Sequence, residues 1–371
     1  MGDNPNHAFL LRERLPTLLE ALQAEGYDCV GPQWRDGAIV YDELNSVKQL
    51  PQGVQINQYP GEYCGEVHSR NTRYFAWANG PQALKPFLFA PRETLWQVRR
   101  DQEGHLGFES PSLDNQKKAI IGVRACDLAA LALQDQHFLQ GTYPDPPYAA
   151  RRENLLLVAV NCSHPAATCF CASTGDGPVA HAGFDLVLDE LDDGFRIQPG
   201  SEIGETIMSR LNLIPVTDGH HEAIEVQQEQ AHEQMRRVPG RRLRDALFAN
   251  LEHERWDEVA ARCLSCGNCT SVCPTCFCHS EEDLAPLDGG SSQHVRQWDS
   301  CFTQGHSYIH GLTIRPQTRE RYRQWLTHKF GSWHDQYGRS GCVGCGRCIT
   351  WCPVGIDVTE ELLAICGSDE S

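Results

Sequence analysis

The spacing of apolar positions changes several times along the chain, and each change marks an element. In "LRERLPTLLEALQAEG" (11–26) apolar residues recur every three or four positions. The stretch predicts a first helix, punctuated by Pro16 and closed by Gly26. "GAIVYDEL" (37–44) predicts a short strand. Two uninterrupted apolar runs follow, "KAIIGV" (118–123) and "NLLLVAV" (154–160), with the helical pattern "DLAALALQDQHFLQG" (127–141) between them. Strand, helix, strand at this spacing is a βαβ unit, which makes the two strands parallel. "FDLVLDELDDGFRIQ" (184–198) predicts a hairpin turning at Asp192-Asp193-Gly194.

Beyond the hairpin the pattern turns polar. "HEAIEVQQEQAHEQMRRVPG" (221–240) reads as a connecting helix ending in Pro-Gly, and "RRLRDALFANLEHERWDEVAARC" (241–263) as one further helix. The expected organisation is therefore an α/β (or α+β) domain over 1–240, then a mostly α-helical ferredoxin-type dicluster domain over 241–371. The second carries a long insert at 274–341, which must loop out and return, packing on the first domain or on a partner.

Composition narrows the class. The chain has 371 residues and a net charge of −17, which argues against a nucleic-acid partner. Its start lacks the basic-then-apolar signature of a signal peptide, and the run Leu155–Val160 falls far short of a membrane span. A cytoplasmic location is expected. Eighteen cysteines without an export signal point to ligands rather than disulfides.

Eight of them fall in a repeat. "CLSCGNCTSVCP" (263–274) and "CVGCGRCITWCP" (342–353) share the spacing C-x2-C-x2-C-x3-C-P. Three thiolates at such intervals wrap one cubane, and the fourth serves the other cluster. The expected ligands are Cys263, Cys266, Cys269 and Cys352 for one [4Fe–4S] cluster. Cys342, Cys345, Cys348 and Cys273 are expected to hold a second. Paired zinc sites are the alternative, since zinc also takes four thiolates. Gly267, Gly344 and Gly346 leave room for the cubane between the thiols.

A third [4Fe–4S] cluster is expected at Cys126, Cys162, Cys169 and Cys171. The βαβ unit brings Cys126 and Cys162 to the carboxyl edge of one sheet, where α/β folds open a crevice. A helix start at Cys126 favours the thiolate. Buried structural thiols are the plainer alternative. A cysteine nucleophile is another, though no His partner is fixed by the sequence. Cys29, Cys64 and Cys366 read as free. "PTCFCH" repeats the earlier "TCFC", and Cys276, Cys278 and Cys301 with His279 make up a further candidate metal set. The sixteen His are scattered, and "GHH" (219–221) reads as a polar turn. No G-x-G-x-x-G between strand and helix and no Walker motif occurs. The sequence shows redox relays but no recognisable site for hydride or substrate chemistry.

Several segments in this order carry a family likeness: "GVRACDLAAL", "NCSHPAATCFC", "CLSCGNCTSVCPTCFCH", "RQWDSCF", "RYRQWLTHKF" and "GCVGCGRCITWCPVGID". From about residue 118 to 358 the chain resembles the iron–sulfur β subunit of cytoplasmic sulfhydrogenases, which are NAD(P)-linked [NiFe] hydrogenases. It is also similar to the A subunit of anaerobic sulfite reductase. The resemblance implies an electron-transfer subunit working with an FAD- and NAD(P)-binding subunit and with [NiFe] hydrogenase or sulfite reductase subunits. A likeness to the β subunit of deazaflavin-reducing hydrogenases allows a flavin near Cys126, although no flavin motif is visible. A stand-alone flavin-dependent iron–sulfur reductase is the reading from a different class.

Overall fold

The computed structural model describes residues 8–240, 243–287 and 289–367. The expected helix start at 241–242 and the chain ends at 1–7 and 368–371 lie outside the described residues. In chain order the strands that position the site are β1 (Ala8–Leu11), β2 (Asp28–Arg35), β3 (Ala38–Glu43), β4 (Val54–Tyr59), β5 (Glu62–Val67), β6 (Arg92–Arg100) and β7 (Leu106–Glu109). They continue with β8 (Lys118–Val123), β9 (Leu155–Val160), β10 (Leu186–Glu190), β11 (Gly194–Pro199) and β12 (Ile214–Pro215), and late in the chain with β13 (His279–Leu284) and β14 (Ser291–Trp298).

The two apolar runs become the middle of an eight-stranded sheet ordered β12-β1-β11-β10-β9-β8-β2-β3. β2, β8, β9 and β10 run parallel, and antiparallel strands flank them. Parallel strands are buried on both faces, which is why they read as continuous apolar runs. Ala119, Ile121, Leu156 and Val158 face helix α1 (Leu15–Ala24). Ile120, Val123, Leu157 and Ala159 face helix α2 (Ala125–Leu139). Pro16 lies in the first turn of α1, where its missing N–H costs nothing, so it starts this helix rather than interrupting it. β10 and β11 form the expected hairpin, closed by the Leu191 N–H donating to Gly194 O at 2.8 Å.

Helix α3 (Asp218–His232) ends before the expected Pro-Gly stop. The single helix expected next is two, α4 (Leu243–Ala249) and α5 (Arg255–Arg262). Leu247 and Trp256 are both buried in one apolar cluster. Nine residues apart on a straight helix they would face opposite sides, since 3.6 residues make a turn. The break at 250–254 brings both inward, and Trp256 Nε1 donates to the freed Asn250 carbonyl at 2.8 Å.

The expectation of a mostly helical second domain does not hold across the insert. β13 and β14 form a hairpin, and β14 pairs antiparallel with β6 to give the sheet β13-β14-β6-β7. The insert thus packs on the first part of the chain through backbone hydrogen bonds. The β4–β5 hairpin reaches the other way: Gly61 N–H donates to Ile349 O at 3.1 Å, beside the second cysteine motif.

Candidate metal centres

The two motifs have one backbone. Ser265 and Gly344 occupy equivalent places with φ of 51° and 63°, and Gly267 and Gly346 follow with 77° and 73°. A single helical turn comes next in each, Asn268–Ser271 and Arg347–Thr350. The loops curl back on their own sulfur: Ser265 N–H donates to Cys263 Sγ and Gly344 N–H to Cys342 Sγ, both at 3.4 Å. Ile356 N–H likewise donates to Cys352 Sγ at 3.3 Å.

The fourth cysteines are exchanged in space. Cys263, Cys266, Cys269 and Cys352, together with Cys348 of the second motif, line one cavity of about 30 Å³, walled by Phe302, Tyr322 and Trp325. Cys273 interacts electrostatically with Cys342, Cys345 and Cys348, and also with Cys269 of its own motif. Burial pushes the Cys263, Cys269, Cys342, Cys345 and Cys348 thiols up, and neighbouring thiols add to the rise. Cys273 goes the other way, held down by a hydrogen bond with Cys276, then by Lys329 and Thr275. Crowded, mostly half-buried sulfur donors of this kind resist ionising one another, whereas a bound cationic centre takes them as thiolates. The donor sets therefore fit iron–sulfur ligation.

The third set also comes together. Cys126 stands at the start of α2, just past β8, and Cys162 follows β9. Cys126 interacts with Cys171, and Cys169 with both Cys171 and Cys162. The helix start does not favour a Cys126 thiolate as expected: enclosure and the adjacent Asp127 carboxylate raise it well above an ordinary thiol. Asn79 Nδ2 donates to Cys126 Sγ and Gln234 Nε2 to Cys171 Sγ, each at 3.3 Å.

The loop carrying Cys169 and Cys171 lies directly on the second motif. Phe170 N–H donates to Gly344 O at 2.8 Å. A Cβ on Gly344 would come within 2.5 Å of Cys171 N, and one on Gly346 within 2.5 Å of Thr168 O. These glycines are required by the neighbouring backbone, besides the room they leave for a cubane. Cys345 accordingly interacts with Cys126, Cys169 and Cys171. The two "TCFC" segments grip this motif from either end, Thr168 hydroxyl to Thr350 hydroxyl at 2.8 Å and Thr275 hydroxyl to Gly341 O at 2.7 Å.

The remaining candidate set changes one member. His279 opens β13, opposite Trp298, and its Nδ1 faces Phe277 O at 3.1 Å. His306 takes the place expected for His279, interacting with Cys278, which also interacts with Cys301. His306 lies five residues after Cys301, and the fold of the insert brings both to Cys278. His220, expected in a polar turn, instead caps α3 reciprocally with Thr217. Cys29 is buried, Cys64 exposed and Cys366 half-buried, all free. Among the described residues no helix is long and apolar enough to cross a membrane.

Two family models, each described as a 4Fe-4S dicluster domain, match residues 262–356 and 223–277. The chain therefore holds at least two [4Fe–4S] clusters. Over 338 residues it is 31% identical to sulfhydrogenase 2 subunit beta of Pyrococcus furiosus, an alignment covering 87% of this chain and 97% of that one. No solved structure matches.

Proposed function

This chain belongs to the sulfhydrogenase β-subunit family of iron–sulfur electron-transport proteins, and on that premise we propose that it relays single electrons between a flavin- and NAD(P)-binding subunit and a [NiFe] hydrogenase module. In this reading Cys263, Cys266, Cys269 and Cys352 hold one cluster, and Cys342, Cys345, Cys348 and Cys273 a second. Cys126, Cys162, Cys169 and Cys171 hold a third. Residues 1–240 and 241–371 are the two domains, with the insert at 274–341 joined to the first. Bound clusters supply one-electron carriers, whereas nicotinamide delivers hydride, so the flavin that converts one to the other belongs to the partner.

The observation that carries the proposal is the seating of residues 168–171 on Gly344 and Gly346. It makes the third thiol set a direct neighbour of the second, which in turn shares exchanged cysteines with the first. The chain's own residues wall and orient these centres. Phe302, Tyr322 and Trp325 wall the first. Lys329, buried, sets a positive charge against Cys273, Cys276 and Cys342 and donates to Thr275 Oγ1 at 2.7 Å.

Purification of the native complex through a tag on this chain tests the proposal. Hydrogenase large and small subunits and a flavoprotein are expected to come with it, and hydrogen should bleach its visible absorbance. A sirohaem protein in their place would make the chain a sulfite reductase subunit. Steady NAD(P)H oxidation by the pure, flavin-free chain would overturn the relay altogether.

A further inference from the structure

Five cationic side chains are buried among the described residues: Lys85, Arg124, Arg296, Lys329 and Arg347. Arg296 meets Glu93 and Asp145, and Arg347 meets Asp127. Lys85 and Lys329 have no carboxylate partner among the described residues, and both gather on one stretch of chain, 271–276. Lys85 Nζ donates to the Ser271 and Cys276 carbonyls at 3.2 and 3.4 Å and lies 3.9 Å from the Trp298 ring centroid. Lys329 Nζ donates to Thr275 Oγ1 at 2.7 Å and lies 4.6 Å from the Trp333 ring centroid.

Cys273 stands between these contacts. Its Sγ lies 3.2 Å from the same Thr275 Oγ1, so one hydroxyl separates the Lys329 ammonium from the sulfur. Lys329 is also fixed to the second motif. Gly341 N–H donates to Lys329 O at 2.8 Å, and the Thr275 hydroxyl donates to Gly341 O at 2.7 Å. Cys342 follows Gly341 directly. Two enclosed ammonium groups repel each other, and a buried charge without a counter-ion is strongly destabilising. Burial depresses the Lys85 pKa for that reason. Neutral thiols supply no counter-charge. A [4Fe–4S] centre on four thiolates does, because its net charge is negative and grows more so when an electron arrives. Arg124, the fifth buried cation, reaches only the carbonyls of Phe75, Trp77, Val160 and Asn161, none of them in a cysteine.

We propose that Lys85 and Lys329 are the counter-charges of the second cluster and set its reduction potential, favouring its reduced form. The proposal rests on the ligand assignment above, in which Cys273, Cys342, Cys345 and Cys348 hold that cluster. The step concerned is the transfer of one electron: the second cluster gains it, a neighbouring cluster of the relay loses it, and no bond forms or breaks. Fixed cations stabilise the added negative charge more than the oxidised state, and at this range one such charge is worth on the order of tenfold in the reduced-to-oxidised ratio. The second set lies beside both the first and the third, so the middle centre holds the electron that its neighbours pass. The two lysines act through the cluster's surroundings and are positioning residues, with no part in ligation.

Anaerobic redox titration of the full chain, followed by electron paramagnetic resonance, tests this. The second cluster's signal is the one that Cys273→Ser alters. At the potential that half-reduces it in the wild type, Lys329→Gln should lower its reduced-to-oxidised ratio about tenfold, a shift of about 59 mV for one electron. Lys85→Gln should move the same signal in the same direction. Lys329→Arg should keep the wild-type ratio, and the signal that Cys263→Ser alters should stay in place. Full iron and an unmoved potential in either Gln variant would overturn the proposal. Loss of the second cluster in both Gln variants and in Lys329→Arg would also overturn it, since the site would then need the shape of lysine and not its charge. If Cys273→Ser alters no signal, the ligand assignment fails and takes the proposal with it.

Discussion

Arg347 and Asp127 form a bidentate ion pair, Nη1 to Oδ1 at 2.8 Å and Nη2 to Oδ2 at 3.1 Å, with both side chains shut off from water. Arg347 stands between Cys345 and Cys348, and Asp127 follows Cys126. One pair therefore ties the second cysteine motif to the helix that begins at the third thiol set. Removing one partner strands the other's charge in the interior. Asp127→Ala is expected to cost about 3–5 kcal/mol, and Asp127→Leu with Arg347→Met markedly less. Anaerobic urea unfolding reads both, and a single variant as stable as wild type would show that the pair holds nothing.

The proposed exchange of the fourth cysteines predicts a non-additive pattern. Cys352→Ser and Cys263→Ser should each disturb the same cluster, so combining them should lose no more iron than either alone. Cys352→Ser with Cys342→Ser should disturb both clusters. Iron analysis with electron paramagnetic resonance of the reduced protein separates these outcomes, and the opposite pattern would mean that each motif serves its own cluster.

The third set is tested by iron count and by a change that touches no thiol. Reconstituted wild type should hold about twelve iron atoms and Cys126→Ser about eight. In Gly344→Ala the new Cβ meets Cys171 backbone, at a φ of 63° that already disfavours a side chain. A loss of at least about 1 kcal/mol is expected, with the spectrum of the third cluster altered first. An unchanged spectrum would show that the loop does not bear on that centre.

His137 gives an acid-sensitive contact. Its ring stacks on Phe277 with centroids 3.6 Å apart, and Nδ1 lies 2.8 Å from the Tyr337 hydroxyl. Burial, then His279, lower its pKa from 6.5 to about 4. The unfolded chain binds the proton more readily, so this contribution to stability is whole above pH 6.5 and declines as pH falls toward 4. His137→Phe should flatten that part of the stability profile in thermal melts between pH 7 and 4.5, and an unchanged slope would assign the acid sensitivity elsewhere.

What the sequence disclosed was whatever a short window contains. Both runs of the βαβ unit are apolar on both faces, so Ile120 and Leu157 announce a buried parallel strand without any partner in view. The cysteine repeats carry their spacing within twelve positions. β2 is harder to see, because Gly31-Pro32 interrupts it. β6, "RETLWQVRR", and β14, "SSQHVRQW", are mixed in polarity and half covered, so each depends on a partner far along the chain. The break between α4 and α5 follows from where Leu247 and Trp256 must point, which no local rule contains. His306 was missed for the same reason: its meeting with Cys278 is a product of the β13–β14 turn.

The pairing of β6 with β14 also sets an order for biosynthesis. β6 leaves the ribosome long before its partner, and its inner edge stays open until residues 291–298 emerge. At synthesis rates of about 5–20 residues per second that interval is about ten to forty seconds. An unpaired edge is a template for misassociation, and the arginines of β6, Arg92, Arg99 and Arg100, give it the charge that discourages such contacts. The first cysteine motif is made within this interval, before the strand that closes the sheet. Cys352, the fourth ligand proposed for that motif's cluster, is made later still, so the sheet can close before the cluster has all its thiols.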